Sequence, residues 1–140
     1  MHRRTASALN YLALARKAGY AELGEEPVGG AARAGKAYVI VVASDAGDHT
    51  WRRAKAFAAG TDQQAVRLPY TKDEMGMAIG RSALAVAAIT EVSMALALIS
   101  SLPQPPQDAV AVLTEKAEKQ KQRKKEAQAH KRNVRFGKKK

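Results

Sequence analysis

Three titratable side chains follow a continuous apolar run and could form an acid–base cluster. Asp45, Asp48 and His49 come after the run from Ala37 to Ala43, and α/β proteins often place active sites at the carboxyl ends of such strands. Alternatively, Asp45 or Asp48 caps the helix that follows, since aspartate is a preferred N-cap residue. No Gly-x-Gly-x-x-Gly or Walker pattern precedes the cluster, and no Ser/His/Asp arrangement stands out. Capping is the better explanation, and the sequence predicts a protein that is not an enzyme.

The other chemistry that the sequence offers is the binding of a polyanion. The chain has 140 residues, with 24 lysines and arginines against 13 aspartates and glutamates and a net charge of +11. Such an excess favours a nucleic acid as partner, ahead of an anionic membrane surface. There is no cysteine, which excludes disulfides, zinc knuckles and iron–sulfur clusters, and the three histidines are scattered. We therefore expect no cofactor and no metal.

The positive charge is concentrated towards the C-terminus. Residues 1–102 hold 12 basic and 9 acidic side chains, a net +3, whereas residues 103–140 hold 12 and 4, a net +8. A Pro/Gln run at 103–107 cannot continue a helix. We predict a domain over 1–102, a linker over 103–109 and a basic tail over 110–140. From Thr114 onward the tail is rich in helix formers and has no apolar stripe, so this segment is either a solvated helix or disordered until a partner binds.

The apolar runs are far shorter than the ~20 residues that a membrane span needs, and the tail has no apolar face that would insert into a bilayer. We therefore expect a cytoplasmic protein without membrane contacts.

Apolar periodicity and breaking residues divide the domain into alternating helices and strands. Thr71 to Glu74 has the pattern of a capping box, and the β-branched run ending at Ala43 is typical of a strand buried on both faces. Helices are predicted over 7–18, 26–34, from Asp45 or Asp48 to about 60, 71–80 and 91–102, and strands over 20–23, 37–43, 65–68 and 84–90. Such alternation indicates a layered α/β sheet with helices on both faces.

Several of these runs, with their spacing, resemble one known family. They are Leu12 to Gly19, Leu23 to Glu26, Val41 to Ala46, and two runs within 68–90, namely Leu68 to Gly80 and Val86 to Thr90. Together they resemble the kink-turn RNA-binding ribosomal protein superfamily of the large subunit, in its bacterial YlxQ-like branch, over about residues 7–102. The resemblance implies a three-layer α/β/α sandwich with a small mixed four-stranded sheet. It also implies a monomer that binds structured RNA, ribosomal and kink-turn-like, together with the ribosome or its assembly factors.

The resemblance further implies an RNA-binding face made of two loops, at 24–30 and 80–84. In typical members an Asn-Glu pair and a lysine one turn later contact the sheared G·A pairs of a kink-turn. Here those positions hold Glu26, Pro27 and Gly30. A carboxylate accepts hydrogen bonds from base amino groups but repels phosphates. The alternative function is therefore a protein-interaction or ribosome-assembly module that has lost kink-turn recognition.

The predicted RNA-binding residues form three groups: the first loop with two flanking cations, the second loop, and the basic tail, which adds phosphate contacts. They are Gly24, Glu25, Glu26, Gly29, Gly30, Arg33 and Lys36; Arg81, Ser82, Ala83 and Leu84; and Lys121, Arg123, Lys124, Lys125, Lys131 and Arg132.

Trp51, Arg52, Arg53 and Lys55 combine an aromatic ring with cations. Because Trp51 shares helical spacing with Ala54 and Ala58, we expect it to face the core and the arginines to face water.

Overall fold

Two apolar strands form the centre of a four-stranded sheet. The computed structural model describes the backbone of residues 2–136 and the side chains of residues 8–131. Strands β1 (Ala21–Leu23), β2 (Val39–Val42), β3 (Gln64–Arg67) and β4 (Val86–Ile89) lie in the order β1-β4-β2-β3. β2 and β3 are parallel, and the other two pairs are antiparallel. Every residue of β2 and β4 is buried, as expected for strands covered on both faces.

The described part of the chain contains six helices, which pack around this sheet. They are α1 (His2–Ala18), α2 (Glu25–Arg33), α3 (Asp48–Ala58), α4 (Lys72–Ala78), α5 (Val92–Ser100) and α6 (Gln107–Phe136). α2 and α3 pack together and contact the sheet, and so do α1 and α5, while α4 lies against α1 and α6 against α5. The predicted α/β sandwich with a mixed four-stranded sheet is confirmed. None of the helices described here has the length and apolar character of a membrane-spanning segment.

The strand directions give the sheet two distinct ends. β2 and β3 terminate at Val42 and Arg67, which lie at the same end as Leu23 and Val86. We call this the loop end, because both predicted RNA-binding loops begin or finish there. The opposite end, where β2 and β3 begin after Tyr38 and Gln63, is the base end.

Helix direction separates charge between these two ends. α2, α3 and α4 each begin at the loop end, and their first turns hold the acidic residues. α1 and α2 finish at the base end, and their last turns hold Arg16, Lys17 and Arg33. Carboxylates near helix N-termini and cations near C-termini are favoured by the helix dipole. α1 to α4 therefore place acids at the loop end and bases at the base end, whereas α5 begins at the base end with Glu91 as its N-cap.

Asp45 has a different role from the one predicted for it. It does not cap α3, whose N-cap is Gly47 and has no side-chain cap. Instead, the chain turns after Ala43, and the Oδ1 of Asp45 accepts a 2.8 Å hydrogen bond from the backbone N–H of Lys72. Asp45 thus stabilises the start of α4, beside the predicted capping box, in which Thr71 accepts from the N–H of Glu74 at 3.1 Å. The capping hypothesis was correct in kind but wrong about the helix.

Gln63 joins three elements at the base end. It is the only buried polar or charged side chain among those described. Its Oε1 accepts from the N–H of Ala37 at 2.9 Å, and its Nε2 donates to the carbonyl oxygen of Ala32 at 3.2 Å. These bonds satisfy backbone groups between α2 and β2 that would otherwise be buried without a partner.

Helix α6 begins at Gln107, within the range predicted as a linker. Its first turns carry Ala109 and Leu113, which are buried in the core, and they pack on α5. Further along, Gln120 donates a 2.8 Å hydrogen bond to the Tyr38 hydroxyl, and Lys116 pairs with Asp62 at 3.4 Å. α6 therefore runs along the domain and reaches the base end before its most basic part. The division into domain, linker and tail stays a prediction.

Candidate nucleic-acid interface

The first predicted loop is attached to the start of β4. Gly24 has a φ of +96° and is the N-cap of α2, a backbone conformation that glycine adopts at little cost. Its N–H donates a 2.9 Å hydrogen bond to the carbonyl oxygen of Val86. The turn into α2 is thereby held at the loop end of a central strand.

The second predicted loop lies directly on α4. The N–H of Arg81 donates to the carbonyl oxygen of Gly76 at 2.8 Å, and the N–H of Leu84 donates to that of Lys72 at 3.0 Å. A Cβ atom on Gly76 would lie 2.6 Å from the Cα of Ala83, so only glycine permits this approach. Arg81, Ser82 and Ala83 are exposed, whereas the side chain of Leu84 is buried in the core.

The structure brings the two loops together. Val86 follows the second loop by two residues and holds Gly24 of the first through the hydrogen bond just described. The backbone around Gly24 and the exposed residues 81–83 therefore share the loop end. This juxtaposition was implied by the family resemblance and not by residue spacing.

Glu25 has internal partners. Its Oε2 accepts a 2.9 Å hydrogen bond from the Thr50 hydroxyl, and its Oε1 lies 3.3 Å from Nε of Arg53. The carboxylate therefore links α2 to α3. Glu26 and Pro27 are exposed in the first turn of the same helix. Of the two glutamates in the first loop, Glu26 is the one whose contacts an external ligand could supply.

The two glycines of α2 differ in their surroundings. Gly29 is buried, and a Cβ on it would lie 3.1 Å from the Phe57 ring, which Arg53 also approaches at 5.4 Å from the ring centroid. Gly30 is exposed, and a Cβ there would meet nothing within 4 Å. Gly29 thus permits close packing of α2 on α3, whereas Gly30 faces open space.

The charge of the loop end is mixed. Carboxylates outnumber the cations in and next to the two loops, where Lys72 and Arg81 are found and Arg53 is paired with Glu25. The acidic residues are Glu25, Glu26, Asp45, Asp48, Asp73 and Glu74. Since carboxylates repel phosphates, this end is suited to base edges better than to a phosphate backbone.

Arg33 and Lys36 follow the first loop at the end of α2 that is farther from Gly24, and a Cβ atom on Gly29 would lie 3.2 Å from the Arg33 guanidinium. α2 has nine residues, a length of about 13 Å, and it carries Arg33 away from Gly24 towards the base end. Lys36 follows in the turn before Ala37, which is bonded to Gln63. Both cations are exposed.

The described cations of the tail are exposed on α6. Lys121, Arg123, Lys124, Lys125 and Lys131 follow Gln120, which is bonded to Tyr38 at the base end. Arg132 lies outside the residues whose side chains are described. The predicted tail cations therefore extend from the end of the sheet opposite to the two loops.

A groove that the sequence did not reveal lies beside Trp51. It has a volume of about 600 Å³ and runs between β3 and the segment 102–106. Trp51 packs against the core, as its spacing predicted, but stays half-buried. The Arg67 guanidinium carbon lies 4.9 Å and the Lys55 Nζ 5.4 Å from its ring centroid. The segment 102–106, which forms one wall, is about 50 positions from Trp51 in the sequence. Local sequence patterns therefore could not predict this groove.

Solved structures share this fold. One is a protein of unknown function from Bacillus halodurans, at 27% identity and a TM-score of 0.64, covering 71% of this chain and 99% of that one. Another is the 15.5kD RNA binding protein of Giardia lamblia, at 17% identity and a TM-score of 0.60, covering 71% of this chain and 84% of that one. No protein-family model and no curated protein matches the chain.

Proposed function

We propose that this protein binds structured RNA and catalyses no reaction. The observation that carries the proposal is the hydrogen bond between Gly24 and Val86, which holds two exposed loops together at one end of the sheet. Support comes from the family resemblance of the sequence, which implies these two loops as an RNA-binding face. The fold shared with an RNA-binding protein of Giardia agrees with it.

The RNA is kink-turn-like and ribosomal in this proposal, and the protein is a cytoplasmic monomer that works on the ribosome or with its assembly factors. Unpaired bases of a bent RNA expose amino groups and edges that a loop can contact. Glu26 accepts hydrogen bonds from such groups, and Arg81 pairs with a phosphate. Cations of α6 add phosphate contacts that do not depend on base sequence.

The test compares the affinity of the full chain for a kink-turn RNA with that for a plain duplex of equal length. We expect the kink-turn to bind at least tenfold more tightly. Arg81→Glu should weaken kink-turn binding about tenfold or more, because it replaces a phosphate partner by a repelling group. Arg52→Glu, at an exposed position on α3, is the matched control and should have a smaller effect.

A second candidate function is a protein-interaction or assembly module. Two observations favour it. The Glu25 carboxylate is bonded to Thr50 and Arg53 within the protein. The positions at which the family resemblance implies RNA contacts hold Glu26, Pro27 and Gly30. Equal and weak binding of the kink-turn and the duplex, unchanged by Arg81→Glu, would support this module and contradict RNA recognition by the loops.

A further inference from the structure

Most of the lysines and arginines whose side chains the structure describes, apart from those on α3, lie at the base end or on the part of α6 that extends from it. The last turn of α1 supplies Arg16 and Lys17, and the end of α2 supplies Arg33, with Lys36 in the turn after it. Residues 115–131 of α6 add seven lysines and arginines against three glutamates. Of the acids nearby, Asp62 is paired with Lys116, Glu115 lies 3.9 Å from Lys119, and Glu91 caps α5 by accepting from the N–H of Met94. A polyanion is the partner that this surface fits.

α6 changes character along its length on a single face. Leu113, Ala117 and Gln120 lie on the side that packs against the domain. At 3.6 residues per turn, Lys124, Ala127 and Lys131 continue the same stripe. Beyond Gln120 this side of the helix therefore carries two lysines, and every described side chain from 121 to 131 is exposed. The extension of α6 thus offers cations to an anion.

The cationic residues at the base end are far enough from the loop end to contact a different ligand. A strand of four residues and the nine-residue α2 each span about 13 Å, and the two ends are separated by at least that length. The screening length at physiological ionic strength is about 8 Å. A compact RNA motif held by the two loops therefore leaves the base end open to a second phosphate backbone.

We propose that the base end and the extension of α6 form a second RNA-binding surface, which holds the phosphate backbone of a duplex while the loop end holds another RNA segment. This surface is defined by Arg16, Lys17, Arg33, Lys36, Lys119, Lys121, Arg123, Lys124, Lys125 and Lys131. The protein thereby bridges two RNA segments. The bridging rests on the proposed function, whereas the duplex-binding surface does not depend on the loops.

The first experiment measures the affinity of the full chain for a plain RNA duplex over a range of salt concentrations. One variant combines Lys119→Gln, Lys121→Gln, Arg123→Gln and Lys124→Gln, all exposed positions where glutamine is a good helix former. It should reduce the slope of log K against log salt by about 3 to 4 and weaken duplex binding more than tenfold. A matched control removes four cations elsewhere, through Arg52→Gln, Lys55→Gln, Arg67→Gln and Lys72→Gln.

The control should leave most of the duplex slope in place. Equal losses in both variants would mean that net charge alone governs duplex binding, and they would overturn the proposed surface. An unchanged slope in the α6 variant would also overturn it. Circular dichroism of both variants checks that the helices are retained.

The second experiment immobilises a kink-turn RNA, loads the protein, and adds a fluorescent plain duplex. We expect the wild-type chain to retain the duplex, and the α6 variant to bind the kink-turn but release the duplex. If protein that is bound to the kink-turn RNA does not bind the duplex, the proposal that it bridges two RNA segments is wrong. If the chain binds the duplex through α6 but does not bind the kink-turn, the loop assignment fails and the base-end surface stands. If it binds neither RNA, both proposals fail.

Discussion

Gly76 and Ala83 are in direct backbone contact, because a Cβ atom on Gly76 would lie 2.6 Å from the Cα of Ala83. This contact places the second loop on α4. We expect Gly76→Ala to displace that loop and to lower the free energy of unfolding by about 1–3 kcal/mol. Urea denaturation measures the stability, and kink-turn binding reports on the loop. An alanine variant with native stability and affinity would show that the loop does not depend on this approach.

Gly30→Ala should have the opposite effect on stability. A Cβ at Gly30 meets nothing within 4 Å, and alanine is favoured over glycine inside a helix by about 1 kcal/mol. The midpoint of urea unfolding should rise. Gly29→Ala is the control in the same helix, and it should gain less or lose stability, because its Cβ would lie 3.1 Å from Phe57. Equal gains at both positions would contradict this account of α2 packing.

Gly30→Lys tests RNA binding at the same open position. A lysine there would place a cation one turn after Glu26, where the family resemblance implies a lysine contact. We expect tighter binding of a kink-turn RNA, by about fivefold to tenfold, together with a salt slope that is steeper by about 1. Gly30→Gln, which has no charge, should leave the slope unchanged. If the two variants bind with the same slope, the phosphate backbone does not pass this position.

Gln63→Ala should destabilise the base end. It would leave the buried N–H of Ala37 and the carbonyl oxygen of Ala32 without their partner. A loss of about 1–3 kcal/mol in the free energy of unfolding is expected for such a change. Gln64→Ala, which removes a hydrogen bond to the exposed carbonyl oxygen of Asp62, should cost less. Hydrogen exchange at the Ala37 amide would show the local effect, and an unchanged rate would contradict it.

The stability of the protein should fall at alkaline pH in part through Tyr70. Burial, and secondarily the negative charge of Glu74, raise the pKa of the Tyr70 hydroxyl. The folded state therefore holds this proton more tightly than the unfolded state does. The contribution of this proton to the free energy of unfolding is complete below the ordinary tyrosine pKa of about 10, and it is lost as the pH rises above that value. Urea midpoints from pH 7 to 11 should fall more steeply for the wild type than for Tyr70→Phe, and parallel curves would exclude this role.

Sequence patterns predicted the sheet well because its central strands follow simple rules. The run from Val39 to Val42 is apolar at every position, and it is buried at every position. The capping box at Thr71 forms as its sequence indicates, since both of its hydrogen bonds are local. Features that depend on neighbours within one turn were therefore predictable.

Features that depend on distant partners were not predictable in the same way. Asp45 stabilises α4 and not the helix next to it, because the chain turns before α3 begins. Leu113 is buried although it lies in the range predicted as a basic tail, because α5 supplies the apolar surface beside it. The positions of Arg16, Lys17, Arg33 and Lys36 at the base end follow from the directions of β1 and β2, which both begin there.

The separation of acidic and basic helix ends has a kinetic consequence. A chain with most of its bases at one end of its sheet and most of its acids at the other has a preferred orientation in the field of a polyanion. If the protein binds RNA as proposed, we expect α6 to make the first contact while the loops face away. This first encounter should depend on ionic strength and not on base sequence, and the search for the specific contact should follow while the protein is already held on the RNA.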